Sequence, residues 1–320
     1  MLSDYKKTEN LDLAMEAKES LQGNANIEIQ GVRETIRRTS HAKITEIEIL
    51  NEQGAEQMKR SIGKYITMEI PELNSYNEAD LAEEIIAAAV EVLRGLYKIQ
   101  KDKPTLIIGL GNVFTTPDSL GPTVISHIQP TAHVYEKFDL KTQNETSPIC
   151  LLNPGVLGNT GIATFDTIES VVNKIQPAAL IVIDALATAS ITRICNTIQI
   201  TDTGIRPGSG IARNNKEINP DNMNIPVIAI GIPTIMHAGT IINEAIEYCL
   251  NSPRLYFNAQ DENVIVNTVE DLLKPYSGDL MVTPKEINTM IPVCAKILAT
   301  AIVRTVHPGL SDKNYRDFMQ

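Results

Sequence analysis

The chain predicts an α/β protein with a twisted, largely parallel sheet and helices on both faces. Two observations carry this. Short uninterrupted apolar runs, Leu106–Ile108, Leu180–Ile183 and Pro226–Ile230, have the composition of strands covered on both sides. They alternate with segments whose apolar residues recur at helical spacing. A third observation bears on function. The first run leads into Gly109-Leu110-Gly111-Asn112 and then Asp118, and the second ends in Asp184. Open α/β sheets keep their sites at the carboxyl ends of strands.

In chain order, Leu11–Leu21 reads as a helix, and Arg33 with Arg37 and Arg38 forms a basic patch in an otherwise polar first forty residues. Ile44–Leu50 alternates apolar and polar, as a strand with one wet face does. Tyr65–Ile70 reads as a second strand, stopped by Pro71. Leu81, Ile85, Ala88, Val92 and Leu96 mark a helix. Thr105–Leu110 is a buried strand, and Ser119–Ile128 a helix with Pro122 in its first turn. Ile149–Leu152 predicts a strand, Thr164–Lys174 a helix and Ala179–Ile183 a strand. Asn196–Thr201 alternates and reads as a half-exposed strand. Ile235–Leu250 reads as a helix. Thr283-Pro284-Lys285-Glu286 has capping-box spacing before a long helix to about Val306. The stretches 203–225 and 251–282 show no clear element, which suits functional loops or insertions.

Composition narrows the function. The 320 residues fit one large α/β domain, and 43% hydrophobic residues without Trp predict an aliphatic core. A net charge of −11 argues against sequence-independent nucleic-acid binding. Neither a signal core nor 18 consecutive apolar residues occurs, so neither secretion nor membrane insertion is expected. Cys150, Cys195, Cys249 and Cys294 lie far apart in apolar surroundings, as reduced thiols of a cytoplasmic protein do.

No HExxH or GxSxG motif is present, and the five histidines are not paired at metal-ligand spacing. The GxG at 109–111 lacks the third glycine of a dinucleotide fingerprint. Its use is a sharp turn that brings Asp118 back over the strand end. If the strands carrying Asp118 and Asp184 are neighbours, their carboxylates lie close together. One then keeps a proton near neutrality, which supplies a base and an acid without a metal. Asp202, ending the strand 196–201, is a reserve acid for orientation or binding. Asn112, Gly208 and Ser209, in the adjoining loops, join it as substrate-contact candidates.

These residues also carry a resemblance. GLGN…TPDSLGP at 109–122, NPGVLGNTG at 153–161, VIDALA at 182–187, NTIQITDTGIRPGSG at 196–210 and IPVIAIGIPT at 225–234 closely resemble the germination proteases of spore-forming bacteria. The likeness runs from LDLAMEA at 11–17 to the last helix. It implies an atypical aspartic endopeptidase, needing no metal or other cofactor, that degrades small acid-soluble spore proteins in the spore core. It implies a zymogen, a homotetramer, and Asp118 and Asp184 as the essential aspartates. It also implies a fold similar to that of hydrogenase maturation peptidases. The expected organisation is a propeptide at 1–15, with self-cleavage near Thr8-Glu9-Asn10-Leu11, and a single peptidase domain at 16–320. The half-exposed strand 196–201 is the expected edge for pairing with an extended substrate. The chain departs from the family pattern at Thr188-Ala189, at His237 and in the run after Gly210. His237 keeps open a nickel-dependent maturation-type peptidase that holds its metal with Asp118, Asp184 and His237. A non-enzymatic nucleotide- or peptide-binding module using the GxGN loop is the third reading.

Overall fold

The computed structural model describes residues 12–22, 29–71, 73, 79–98, 103–137, 143, 146–208, 216–242, 245 and 280–309. The strands are β1 (Val32–Arg38), β2 (Lys43–Ile49), β3 (Gly63–Glu69), β4 (Thr105–Gly109), β5 (Ile149–Leu152), β6 (Ala179–Thr188), β7 (Thr197–Thr201), β8 (Val227–His237) and β9 (Met281–Val282). The helices are α1 (Ala14–Gln22), α2 (Glu52–Met58), α3 (Ala79–Leu96), α4 (Leu120–Ser126), α5 (Leu157–Thr160), α6 (Thr164–Ile175), α7 (Pro220–Met223) and α8 (Ile287–Val306). Among the described residues all nine strands form one sheet in the order β1-β2-β3-β7-β8-β6-β4-β5, with β9 paired to β8.

The sheet is mixed rather than largely parallel. The run β5-β4-β6-β8 is parallel, but the other five pairings are antiparallel. For β1 and β2 the reason is connection length. Only the tight turn between Thr39 and Ala42 separates β1 from β2, and parallel pairing needs a crossover of a dozen residues or more. β1 falls where the sequence shows only a polar stretch with a basic patch. Its residues are mostly exposed, so no apolar period marks it. Backbone pairing to β2 and the Arg33–Glu48 ion pair at 3.1 Å hold it, and its charges suit an edge strand.

Alternate residues of the parallel strands serve opposite faces. Ile107, Ile181, Ile183 and Ile230 join a core with α3, α4 and α8. Leu106, Ile108, Leu180 and Val182 meet Phe165, Ile168 and Val172 of α6 on the other side. Helices on both faces are therefore present as expected. By length and composition α8 is apolar enough to cross a membrane, yet most of it is buried in this core. Thr283 does not cap it: its hydroxyl donates to the carbonyl of Thr234 at 2.8 Å, and the helix begins at Ile287.

Three strands differ from expectation. β6 does not end at Asp184 but continues to Thr188, because β8 runs alongside it through a bulge at Leu186–Ala187. β8 accordingly takes Ile235–His237, which the sequence placed in a helix; a helical turn follows at 238–242. β7 is wholly buried, not half-exposed, since β3 and β8 flank it on both edges and packing covers its threonines. It offers no free edge to a peptide.

Candidate active site

The site forms where β4 stops and β6 does not. The last β4–β6 pair is Gly109 with Ile183, and the N–H of Leu110 donates to the carbonyl of Ile183 at 2.8 Å. Asp184 is the next residue of β6, so β4 no longer covers that side of it. Its other neighbour is Gly231 of β8.

After Leu110 the chain makes a closed loop that returns Asp118 to the strand end. The loop ends in a 3-10 turn, Thr116–Asp118. The N–H of Asn112 donates to the Asp118 carbonyl at 3.1 Å and to its Oδ2 at 2.9 Å. Two glycines permit this closure. Gly111 has φ +116, and a Cβ there would lie 1.9 Å from the Asp118 carbonyl oxygen. Gly121, in the first turn of α4, sits so close to the strands that a Cβ would meet Leu110 O at 2.3 Å and Ile183 O at 2.7 Å. The GxGN loop is thus closed on its own carboxylate. The N–H that a phosphate would need is given to Asp118, which weighs against the nucleotide-binding reading.

Electrostatics ties the two acids together. Burial pushes Asp118 up to about 6, against the opposing pull of the Asn112 N–H. Asp184 is only 7% exposed, and burial raises it well above the usual carboxylate range. The negative charges of Asp118 and then Asp12 raise it further, while the Ala185 N–H, 2.9 Å from Oδ1, opposes them. Burial and the neighbouring charge thus favour the protonated form of Asp184, while Asp118, at about 6, passes to its ionised form on approaching neutrality. Such a pair can take a proton from water with one member and donate one with the other.

Asp12 carries no local signal in the sequence, because it reaches the site from the far end of the chain. Its Oδ2 accepts the Ala187 N–H at 2.7 Å. Gln199 of β7 holds the same segment, donating to the Asp12 carbonyl at 3.0 Å and accepting from Ala14 N at 2.7 Å. Behind it α1 is anchored through Glu16, which is 3% exposed. Glu16 accepts from Thr188, from Ala189 N and from Arg193.

The other candidates divide. Asn112 belongs to the site through its bond to Asp118. Asp202 does not. β7 runs antiparallel to β8, so its end lies at the opposite edge of the sheet, where Asp202 Oδ1 accepts Lys64 N at 2.8 Å. It lines a hollow of about 460 Å³ there with Leu96, Asn224, Pro226 and Val227. Gly208 is exposed in the loop that leaves from that edge, and Ser209 lies outside the described residues. His237 stands six residues beyond Gly231, the partner of Asp184, or roughly 20 Å along β8. That separation removes it from any metal site built on Asp184. No group of three potential ligands occurs among the described residues.

Comparison with known proteins is consistent along the chain. A family model described as germination protease matches residues 7–263. A germination protease of Clostridium tetani is 38% identical over 318 residues, covering 96% of this chain and 98% of that protein. One from Clostridium perfringens strain 13 is 37% identical over 321 residues, with the same coverage. One from Bacillus subtilis is 32% identical over 349 residues, covering 95% of this chain and 94% of that protein.

Proposed function

This chain belongs to the germination protease family, and from that premise we propose that it is an aspartic-type endopeptidase acting on small acid-soluble spore proteins during spore germination. The observation that carries the mechanism is the pairing of a buried Asp184, its proton held by burial and the charge of Asp118, with an Asp118 raised to about 6. Asp118, as carboxylate, takes a proton from water as the water oxygen attacks the scissile carbonyl. Asp184 gives its proton to the carbonyl oxygen. On collapse of the tetrahedral intermediate the oxygen returns that proton to Asp184, and Asp118 delivers the other to the leaving amine. No metal enters this cycle.

Asp118→Asn and Asp184→Asn each test it. Cleavage of a purified spore protein, followed by mass spectrometry, should fall by about a thousandfold or more in both, with an unchanged circular dichroism spectrum. Near-normal turnover by either variant would discard the pair.

The zymogen reading rests on the N-terminal segment. Asp12 lies beside Asp184, and Leu13–Met15, within the 1–15 segment expected to be removed, are buried. Release of that segment uncovers Asp184 and separates precursor from active enzyme. The domain at 16–320, assembly into a homotetramer, action in the spore core and a fold shared with hydrogenase maturation peptidases belong to the same proposal.

A further inference from the structure

The sheet leaves a stretch of strand edge at the site. Odd-numbered residues of β6 turn their main-chain groups toward β4, as the Ile183 carbonyl does in accepting the Leu110 N–H. Even-numbered ones turn toward β8, as the Leu180 N–H does in donating to the Pro226 carbonyl at 2.9 Å. Beyond Ile183, β6 runs on to Thr188 and, among the described residues, pairs with β8 alone. The bulge puts its extra residue, Thr234, in β8, so the alternation of β6 is unbroken. The next three N–H groups on the β4 side are therefore those of Ala185, Ala187 and Ala189.

Carboxylates take the place of a strand along this edge. Ala185 N donates to Asp184 Oδ1 at 2.9 Å, Ala187 N to Asp12 Oδ2 at 2.7 Å and Ala189 N to Glu16 Oε2 at 3.0 Å. Two of the three acceptors belong to the N-terminal segment, whose main chain Gln199 grips at Asp12 O and Ala14 N. An extended peptide would present carbonyl oxygens at the same period of two residues. Release of residues 1–15 carries Asp12 away and leaves the N–H of Ala187, a residue only 3% exposed, without its acceptor. A buried N–H needs a partner.

We propose that in the processed enzyme an extended stretch of substrate adds as a strand to this edge of β6, its carbonyl oxygens accepting the Ala187 N–H and then the Ala189 N–H. The proposal rests on the peptidase reading and on release of the N-terminal segment, and deepens both. Ala187 lies three residues from Asp184, or roughly 10 Å along the strand, so a peptide paired there leads straight to the two acids. The edge reads main chain, so it holds the substrate whatever side chains that stretch carries.

The test uses the processed form that the full chain yields on losing residues 1–15. Its substrates are a spore-protein peptide spanning the cleaved bond and a series of that peptide with one N-methyl group at successive residues. Strand addition predicts a period of two: methylation at residues that face β6 should lower kcat/KM about tenfold through KM, and methylation between them should not. Ala187→Pro removes the donor on an edge that makes no bond to β8, and should raise KM for the unmodified peptide by a similar factor. A uniform effect along the series, or none, overturns the proposal, and if Ala187→Pro fails to fold the series on the unaltered chain decides alone. A chain that never loses residues 1–15 also overturns it, cleaving or not, since Asp12 then holds the Ala187 N–H throughout. If the processed form cleaves no peptide, the peptidase reading falls on its own. Fluorescence anisotropy of the same series then decides the edge: binding that alternates with the methylated position supports it, and even binding ends it.

Discussion

The Ile183 carbonyl accepts the Leu110 N–H at 2.8 Å, the last ladder bond between β4 and β6, and the residue after each begins the site. Beyond Leu110 the chain loops back through Gly111 to present Asp118. Beyond Ile183 it continues as Asp184. One terminated pairing thus sets the place of both acids.

The first prediction concerns pH. Activity requires Asp118 ionised, so it rises through about pH 6, and Asp184 protonated, so it falls on an alkaline limb. In the unprocessed chain, Asp12→Asn removes a negative charge beside Asp184 while keeping an acceptor for Ala187 N, so the Asp184 carboxyl should titrate at lower pH when followed by carbon-13 NMR of the carboxyl groups. An unmoved Asp184 titration would remove Asp12 from the site's electrostatics.

The raised Asp118 also costs stability. Its folded pKa of about 6 exceeds the ordinary 3.8, so its contribution to stability is most favourable below pH 4 and declines as pH rises toward 6 and beyond. Asp118→Asn should therefore stabilise the fold at pH 7 by roughly 1–2 kcal/mol, the modest size reflecting solvent screening of a half-buried group. The gain should vanish near pH 3.5. Urea melts at the two pH values read this directly, and an equal gain at both would contradict it.

His307 works in the opposite direction. It is 1% exposed at the end of α8, its Nδ1 accepts the Ser147 N–H at 3.0 Å, and burial lowers it to about 4. Protons bind the unfolded chain first, near pH 6.5, so stability is lost as pH falls from there toward 4. The loss reaches roughly 3 kcal/mol. His307→Gln should flatten this acid decline in Tm, and a decline of undiminished slope would assign it to other groups.

Gly121→Ala tests the close approach of α4 to the strands. Its Cβ would meet backbone atoms of Leu110 and Ile183, which cannot swing aside. The cost should be about 3 kcal/mol or more, with peptidase activity lost as the Asp118 loop is pushed off β6. A melt within 1 °C of the wild-type curve would refute the contact.

Arg193→Ala should loosen α1. Arg193 pairs with Glu16 at 3.0 Å and Glu19 at 2.7 Å, and its loss leaves Glu16 buried without its cation. Destabilisation of roughly 3 kcal/mol is expected, with faster proteolysis within 12–22, and Glu16→Gln in the same chain should recover part of it. Unchanged proteolysis would mean that the apolar contacts of α1 suffice.

Local sequence was most legible where one segment meets its environment alone. The apolar runs of β4, β6 and β8 declare strands covered on both faces, and Asp118 after β4 and Asp184 within β6 lie near enough for the charge of one to act on the other. Polar β1 and buried β7 were misread or missed for a shared reason: whether an alternating segment is an edge or an interior strand depends on its neighbours in the sheet. Asp202 was misplaced because strand direction, which decides the edge a residue reaches, is set by pairing and not by composition.

By itself, then, the sequence determined an α/β core, the candidacy of two aspartates and the tight loop that turns one of them back over its strand end. Only the tertiary structure decided that Asp184 is buried where Asp118 is partly open, that Asp12 shares its surroundings, and that His237 stands too far along β8 to join them. Burial, charge proximity and strand register are properties of segments brought together from distant parts of the chain, so they exist only once the sheet has assembled.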